Sequence, residues 1–346
     1  MIKHLTVQNY RALRDLTVDL SSLTVLVGPN GVGKSTTLEA LHYITLMSYG
    51  GNTEARTSWD GDYPSNAHVR ISNEQASFEY PTPNKEVKQR EAIWTIDGTE
   101  FRANLKRSPN AKISEFPPSF PTSVIRLHLD PKILRADSTS HSPLPLGHIG
   151  VLGQGLAAAL NDFKTNDDPR FDAIMQAMRH IVPGLKGIKA PRVPQQPGNF
   201  TISCATAAHH DIPARHMSDG TLYALALITA LSSNQGRPTL VLLDDIDQGL
   251  HPKAQSELIT QIRAIQKNDP GLQVIATCHS PYLVDSLEGD EVVLMQAGKD
   301  GFARARRLSD HPDYKRLHGA LGTGEFWGSV GEMWVTDEMS PKVETP

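Results

Sequence analysis

The residues with the clearest chemistry are 28–35, which read Gly-Pro-Asn-Gly-Val-Gly-Lys-Ser and match the pattern G-x-x-x-x-G-K-S. Glycines at these spacings let backbone N–H groups curl around a phosphate chain. The following lysine can reach the outer phosphates, and the serine hydroxyl can bind Mg²⁺. We therefore predict an ATP site in which Lys34 is catalytic and Ser35 is a metal ligand. The nucleotide-binding residues predicted in this loop are Asn30, Gly31, Val32, Gly33, Lys34, Ser35 and Thr36.

The sequence on both sides of this loop predicts the elements that must hold it. Residues 23–27 are apolar and partly β-branched, which is typical of a buried strand. Residues 36–47 have helical spacing, because Leu38, Leu41 and Ile44 recur along one face. A strand, a glycine-rich turn and a helix form the context in which such a loop binds phosphate. A glycine-rich turn without a ligand is the alternative, and the Lys-Ser pair disfavours it.

A second chemical feature is a pair of carboxylates at the end of an apolar run. Residues 239–243 predict a buried strand, and Asp244 and Asp245 follow it directly. In a phosphate-loop enzyme the first such carboxylate belongs beside Mg²⁺, so we predict Asp244 as a metal ligand. The next acidic residue, Asp245, is predicted to orient or deprotonate the attacking water. A plain strand-end turn is the alternative.

A third feature is the turn Ser218-Asp219-Gly220, which opens an apolar helix and predicts a second anion-binding helix start. One phosphate chain does not need two such sites from one subunit. We therefore expect Ser218, Asp219 and Gly220 to bind ATP held by a partner subunit. At residues 277–281 a predicted strand ends in His279, which could reach a γ phosphate.

Taken together, these motifs resemble the ABC-type ATPases, and within them the RecF/OLD-like group of AAA-family ATPases. The resemblance makes Ser218–Gly220 the signature turn that acts in trans, and His279 the switch histidine. It also places Arg11, in the opening motif at residues 9–11, near the nucleotide. The runs at 127–131 and 324–327 look like that group as well, without an assigned role.

The resemblance implies an α/β fold: a P-loop NTPase with an ABC-type split core and a mainly parallel sheet flanked by helices. We predict that residues 1–47 and 199–298 form the two parts of the core. Residues 48–198 are predicted to be an insertion, or lid, of mixed strands and helices, and residues 299–346 a C-terminal tail. The insertion contains a loop-like stretch at 48–66 and a Pro- and Ser-rich connector near 108–122.

Composition limits the kinds of partner and cross-link that the chain is expected to have. The chain has 346 residues, two cysteines and a net charge of −4, so it has no global attraction for nucleic acid and no disulfide framework. Arg304, Arg306 and Arg307 form a basic cluster that could contact DNA, although ordinary solvated charge is the simpler interpretation. The adjacent His209 and His210 favour a surface role over a metal site. No signal peptide or membrane span is evident, so we expect a cytoplasmic protein without membrane contact.

Two departures from the family pattern bear on function. Asp245 stands where the group usually has Glu, and Ile246 stands where a proline is common, so slow hydrolysis is plausible. The sequence after the core is too short for the Toprim nuclease domain of OLD proteins, so we expect any nuclease to be a separate protein.

The resemblance predicts a Mg²⁺-dependent ATPase that works as a homodimer or higher homo-oligomer, passing its output to DNA or to an effector in DNA repair or anti-phage defence. The rival hypotheses are an ATP-binding scaffold with little turnover and a transporter motor subunit.

Overall fold

A computed structural model describes residues 1–48, 68–72, 76–81, 91–96, 99–104, 121–139, 149–194, 196, 198–233 and 236–336. Most of the predicted loop at 48–66 and of the predicted connector at 108–122 lies outside these residues.

The strands are β1 (His4–Tyr10), β2 (Leu13–Asp19), β3 (Leu23–Val27), β4 (His68–Ser72), β5 (Ala76–Pro81), β6 (Glu91–Ile96), β7 (Thr99–Asn104), β8 (Ser123–Leu127), β9 (Ser138–Thr139), β10 (Leu185–Lys189), β11 (Asn199–Phe200), β12 (Ser203–Thr206), β13 (Ile212–Pro213), β14 (Thr239–Leu243), β15 (Leu272–Thr277), β16 (Val292–Ala297) and β17 (Ala303–Arg307). The α-helices are α1 (Lys34–Ser48), α2 (Pro131–Leu134), α3 (Leu156–Thr165), α4 (Pro169–Ile181), α5 (Asp219–Ser232), α6 (Pro252–Asn268), α7 (Pro281–Val284), α8 (Tyr314–Leu317) and α9 (Thr323–Val330).

The chain divides into two compact units. Unit 1 comprises residues 1–122 and 275–346, and unit 2 comprises residues 123–274, so the division falls within β15. These compact units do not test where an insertion interrupts the ATPase core. The boundaries predicted from the sequence at residues 47, 198 and 298 therefore stay a prediction.

In unit 1 the strand that leads into the phosphate loop lies at the centre of a sheet with the order β17-β16-β3-β15. Strands β3 and β16 are parallel, with Val25 opposite Val292, and β17 pairs with β16 in the antiparallel direction. Every residue of β3 is buried, as its apolar sequence predicts. An antiparallel sheet with the order β2-β1-β4-β5-β6-β7 completes the strands of this unit.

In unit 2 the acidic pair follows the buried strand β14, which lies between β15 and β8 in the sheet. Strands β14 and β8 run parallel from Thr239 opposite Ser123 to Leu243 opposite Leu127. Helix α5 is buried along nearly its whole length because its residues are apolar on all sides. Parallel strand pairs flanked by helices confirm the predicted α/β class with a mainly parallel sheet.

The C-terminal residues pack as core. Phe326 is fully buried, Trp334 is 8% exposed, and His311 stands edge-on to both rings. These aromatic side chains of the C-terminal residues therefore cover the core. Both cysteines, Cys204 and Cys278, are free and buried, as expected from their apolar surroundings. Among the described residues, no helix combines the length and apolar character needed to cross a bilayer.

Candidate functional site

The phosphate loop of unit 1 takes its shape from glycine backbone angles. Gly28 has φ of +140° and Gly33 has φ of +108°, values that L side chains rarely adopt. A Cβ atom on Gly28 would lie 2.1 Å from the carbonyl oxygen of Met295 in β16. Glycine is therefore required at position 28 both by its backbone angle and by the close approach of the neighbouring strand.

Side chains at the start of α1 fasten the loop to itself. Lys34 is 6% exposed, and its Nζ donates hydrogen bonds to the carbonyl oxygens of Gly28 at 2.8 Å and Pro29 at 2.9 Å. Thr37 Oγ1 donates to the carbonyl oxygen of Gly33 at 3.0 Å. The lysine ammonium thus lies inside the curve of the loop, and its contact with a phosphate stays a prediction.

The rest of the loop divides into a buried and an exposed part. Asn30, Gly31 and Ser35 are exposed, Thr36 is half-buried, and Val32 is buried. The Ser35 hydroxyl and the exposed backbone at 30–31 are therefore open to an incoming ligand, whereas Val32 anchors the loop in the core.

Arg11 lies in a turn that packs directly against the loop. A Cβ on Gly33 would be 2.9 Å from Leu13 Cδ2 and 3.6 Å from Ala12 Cβ, the two residues that follow Arg11. Arg11 itself has φ of +50°, and its guanidinium pairs with Glu39 on α1. The structure therefore brings Arg11 beside the helix that begins with Lys34, and its contact with a nucleotide stays a prediction.

His279 is exposed at the end of β15, next to the strand that carries the loop. The N–H of Cys278 donates to the carbonyl oxygen of Leu26 in β3 at 3.1 Å. His279 is the next residue, and Leu26 lies two residues before Gly28. Unit 1 therefore gathers the phosphate loop, Arg11 and His279 around the ends of two neighbouring strands.

The run at 324–327 has a structural role that sequence reasoning left open. The carboxylate of Asp285, just after α7, accepts hydrogen bonds from the N–H groups of Gly324 at 2.7 Å and Glu325 at 3.1 Å. A Cβ on Gly324 would lie 1.9 Å from the carbonyl oxygen of Pro281. The glycine lets α9 dock on the short helix that follows His279.

In unit 2, the carboxylate of Asp244 is buried, and one of its two oxygens faces a charged partner. It is 4% exposed, and Oδ2 lies 3.4 Å from Arg126 Nη2 and 3.7 Å from His128 Nδ1. Oδ1 is buried and has no hydrogen-bond partner among the described residues. A buried carboxylate oxygen without a donor is a suitable ligand for a hard cation.

Asp245 is held in a left-handed conformation by its neighbours. Its φ is +53°, which short polar side chains such as Asp tolerate better than others. The hydroxyl of Tyr223, from α5, lies 3.1 Å from the carbonyl oxygen of Asp244 and 2.8 Å from that of Asp245, and it donates its proton between them. Tyr223 thus ties the acidic pair to the helix that begins at the Ser218–Gly220 turn.

The turn at Ser218–Gly220 is a capped helix start, as predicted. Ser218 Oγ accepts a hydrogen bond from the N–H of Thr221 at 3.2 Å, and Ser218 and Asp219 are exposed. Asp219 forms an ion pair with Arg135. A Cβ on Gly220 would lie 2.3 Å from the carbonyl oxygen of Gly249, so the backbone at 248–250 is packed onto this turn.

Unit 2 therefore brings together the Ser218–Gly220 turn and the acidic pair. Sequence reasoning missed the residues that fix their geometry: Arg126, Tyr223 and Arg135. The run at 127–131 was noted without a role, and it flanks two of these contacts. Tyr223 has no sequence signal, because its hydroxyl reaches carbonyl groups more than 20 residues away.

The lesser sequence candidates are a histidine pair and a basic cluster. Among the described residues no group of three or more His, Cys, Asp or Glu side chains is arranged to hold a metal ion. His209 and His210 are both exposed, which agrees with the predicted surface role. Arg304 pairs with Asp300 at 2.9 Å. Part of the positive charge of the basic cluster is therefore neutralised by a carboxylate in the turn just before β17.

Comparison with known proteins identifies the family. A family model described as "AAA domain, putative AbiEii toxin, Type IV TA system" matches residues 23–74 and 54–285, which together span most of the chain. The chain belongs to this family. The predicted assignment to the ABC-type AAA ATPases of the RecF/OLD group is thereby confirmed.

This AAA ATPase has recognisable but partial relatives. It is 26% identical over 159 residues to the "Retron Ec83 probable ATPase" of Escherichia coli, a match covering 42% of this chain and 27% of that protein. It is 36% identical over 75 residues to the "DNA replication and repair protein RecF" of Lactobacillus acidophilus, which is 20% of each chain. The match thus spans about a quarter of the first relative's length and a fifth of the second's.

A solved structure agrees on the fold. The crystal structure of the "SmcHead bound to the C-winged helix domain of ScpA" superposes with a TM-score of 0.58 at 16% identity. The superposition covers 91% of this chain and 99% of that chain. The AAA ATPase therefore has the fold of an ABC-type head domain.

Proposed function

We propose that this AAA ATPase binds and hydrolyses ATP as a dimer, with each nucleotide held by the phosphate loop of one copy and the Ser218–Gly220 turn of the other. The observation that carries the proposal is that this turn forms the exposed, capped start of α5, a helix of 14 residues in unit 2. Such a start is an anion site, and the phosphate loop already supplies one for the same chain. Binding in trans gives both sites a use.

Within each copy, the chain's own residues divide the work. Backbone N–H groups of residues 30–36 and the Lys34 ammonium bind the phosphates and orient the γ phosphate. His279, exposed at the end of β15, contacts the γ phosphate in this proposal. Arg11, which lies beside α1, contacts the nucleotide in this proposal. Asp245 accepts a proton from the attacking water or orients it, and Tyr223 fixes the backbone that carries it.

The residues fit Mg²⁺ as a cofactor. The buried Oδ1 of Asp244 is a carboxylate oxygen with no hydrogen-bond donor among the described residues, and Ser35 is exposed. Oxygen donors of this kind are those that Mg²⁺ prefers. Mg²⁺ would supply charge neutralisation of the phosphates, with Ser35 and Asp244 as its protein ligands.

The biological output proposed is a switch that closes on ATP and opens after hydrolysis, acting on DNA or on a separate effector protein such as a nuclease. The support is the similarity to a retron ATPase and to RecF, a protein named for DNA replication and repair. That similarity supports the proposed role in DNA repair, and the resemblance to the RecF/OLD-like group adds defence against phage as the other proposed role.

The test is size-exclusion chromatography with light scattering on the Asp245→Asn variant, with and without ATP and Mg²⁺. We expect an ATP-dependent dimer, because loss of the base slows hydrolysis by about a hundredfold or more and traps the closed form. Lys34→Ala in the same background is the matched control and should stay monomeric. A dimer that forms equally well without ATP or with Lys34→Ala would refute the proposal.

The scaffold hypothesis is separated by phosphate release. A slow ATPase releases phosphate faster than Lys34→Ala and Asp245→Ala, whereas a scaffold gives equal rates in all three. The shorter side chain of Asp245 is the observation that keeps this second function in view, since a misplaced base lowers turnover without preventing binding.

A further inference from the structure

The Ser218–Gly220 turn contains a charge that opposes its proposed ligand. Asp219 is the first residue of α5, and its side chain is 56% exposed. A carboxylate at a helix start is favourable for the helix itself, but it repels a triphosphate that approaches the same N–H groups. A turn that accepts ATP from a partner copy therefore needs this negative charge to be neutralised or turned aside.

Arg135 provides a positive charge at that point. Its Nη2 donates to Asp219 Oδ1 and to the carbonyl oxygen of Met217, the latter at 3.0 Å. Its Nη1 donates to the carbonyl oxygen of Pro131 at 3.1 Å. The guanidinium is therefore fixed by acceptors on its own helix and at the turn, and it stays charged at any physiological pH.

The element that carries Arg135 is well anchored. Asp130 caps α2 by accepting a hydrogen bond from the N–H of Lys132 at 2.8 Å, and its own N–H donates to the carbonyl oxygen of Leu152 at 3.1 Å. Leu134 is 1% exposed, and a Cβ on Gly153 would lie 2.3 Å from its Cδ2. The backbone of Arg135 is thus held by α2 and its packing, and its guanidinium reaches from there to the turn.

We propose that Arg135 is a positioning residue for the ATPase reaction: it neutralises and orients Asp219 so that the Ser218–Gly220 turn accepts the triphosphate bound by the partner copy. The inference rests on the proposed function. It adds the reason why an acidic residue is compatible with a phosphate-contacting turn, and it assigns a role to the residue that ends α2.

The test compares four full-length chains in the Asp245→Asn background: the parent, Arg135→Ala, Asp219→Asn, and the double variant. The quantity measured is the dissociation constant of the ATP-bound dimer by sedimentation velocity, together with monomer affinity for a fluorescent ATP analogue. Arg135→Ala should weaken the dimer about tenfold or more, because an unpaired carboxylate then faces the phosphates. The double variant should recover to within about threefold of the parent, because the repelling charge is gone.

Two further readouts distinguish charge from structure. The defect of Arg135→Ala should shrink when salt is raised from about 0.05 M to about 0.5 M, because added ions screen partly exposed charges. Affinity of the monomer for the ATP analogue should stay within about twofold of the parent, because the phosphate loop is untouched. Arg135→Lys, which keeps the charge, should be weakened less than Arg135→Ala. If Arg135→Ala fails to fold, Arg135→Gln replaces it.

Specific outcomes overturn the inference. Dimerisation of Arg135→Ala equal to that of the parent would show that the pair is not needed. A double variant no better than Arg135→Ala would show that Arg135 acts only as packing. A parent that does not dimerise with ATP would refute the proposed function and this inference together. A parent that dimerises with ATP, alongside variants that do not show the expected loss and recovery of dimer affinity, would refute the inference alone.

Discussion

The phosphate loop of unit 1 and the Ser218–Gly220 turn of unit 2 are both helix starts suited to an anion, but they are built differently. The loop takes its shape from glycine backbone angles and from hydrogen bonds inside the motif, such as Lys34 with Gly28, and the neighbouring strand β16 limits the space at Gly28. The turn is shaped by side chains from distant parts of the chain, Arg135 among them. Local geometry is written into a short motif, whereas the second site depends on residues that only folding brings together.

The largest expected effect is at Gly28, where the loop has no room. Gly28→Ala should lower the free energy of unfolding by about 3 kcal/mol, because its Cβ would overlap the carbonyl oxygen of Met295 at a strained φ. The measurement is urea denaturation followed by circular dichroism. Gly31→Ala is the matched control: its φ is +76° but nothing lies within 4 Å of the added Cβ. It should lose only about 1 kcal/mol, and equal losses in both variants would contradict the steric account.

An intermediate effect is expected at Gly220, where the turn touches the backbone of Gly249. Gly220→Ala should reduce stability by about 2 kcal/mol and abolish the ATP-dependent dimer, because the added Cβ would lie 2.3 Å from a carbonyl oxygen. Gly187→Ala is the control in the same unit, since nothing lies within 4 Å of its Cβ. Normal dimerisation by Gly220→Ala would show that the packing at this turn is not required.

A smaller effect is expected at Tyr223, which links the turn to the acidic pair. Tyr223→Phe removes the donor to the carbonyl oxygens of Asp244 and Asp245, so it should lose about 1.5 kcal/mol of stability and lower kcat for ATP with KM little changed. Tyr282→Phe, at a side chain 60% exposed, is the control and should behave like the parent. A change in KM alone would contradict a role at the acidic pair.

The smallest effect is expected at Asp285, which caps α9. Asp285→Ala should lower the free energy of unfolding by about 1 kcal/mol, because the N–H groups of Gly324 and Glu325 lose their acceptor. Thermal denaturation measures it against Asp313→Ala, at a half-buried acidic residue that pairs with Arg316. Identical melting temperatures for the two variants would remove the capping role.

The two regions also show how far sequence predicts this molecule. The helix after the loop follows from apolar periodicity, and the strand before it follows from a short apolar and partly β-branched run. The class of fold is what the resemblance to a known family implies. The loop itself follows from glycine spacing, because so few residues tolerate its backbone angles. The capped start at Ser218 follows from local hydrogen bonding.

Other features could not be predicted, because nothing local specifies them. The pairing of Arg126 with Asp244, and of Arg135 with Asp219, joins residues 118 and 84 positions apart in the chain. The role of Gly324 depends on the approach of Pro281, which requires α9 to dock on α7. Such contacts depend on tertiary packing, and a single sequence carries no periodic or spacing signal for them.

The central claim is that the loop of one copy and the turn of another enclose the same ATP, and subunit mixing tests it most directly. Lys34→Ala and Ser218→Arg chains, each inactive alone, are mixed and assayed for phosphate release. A trans site leaves one intact composite site in each heterodimer, so the mixture should recover about a quarter of the parent rate if the chains pair at random and about half if only heterodimers form. A mixture no more active than the two variants alone, although heterodimers form, would contradict the account.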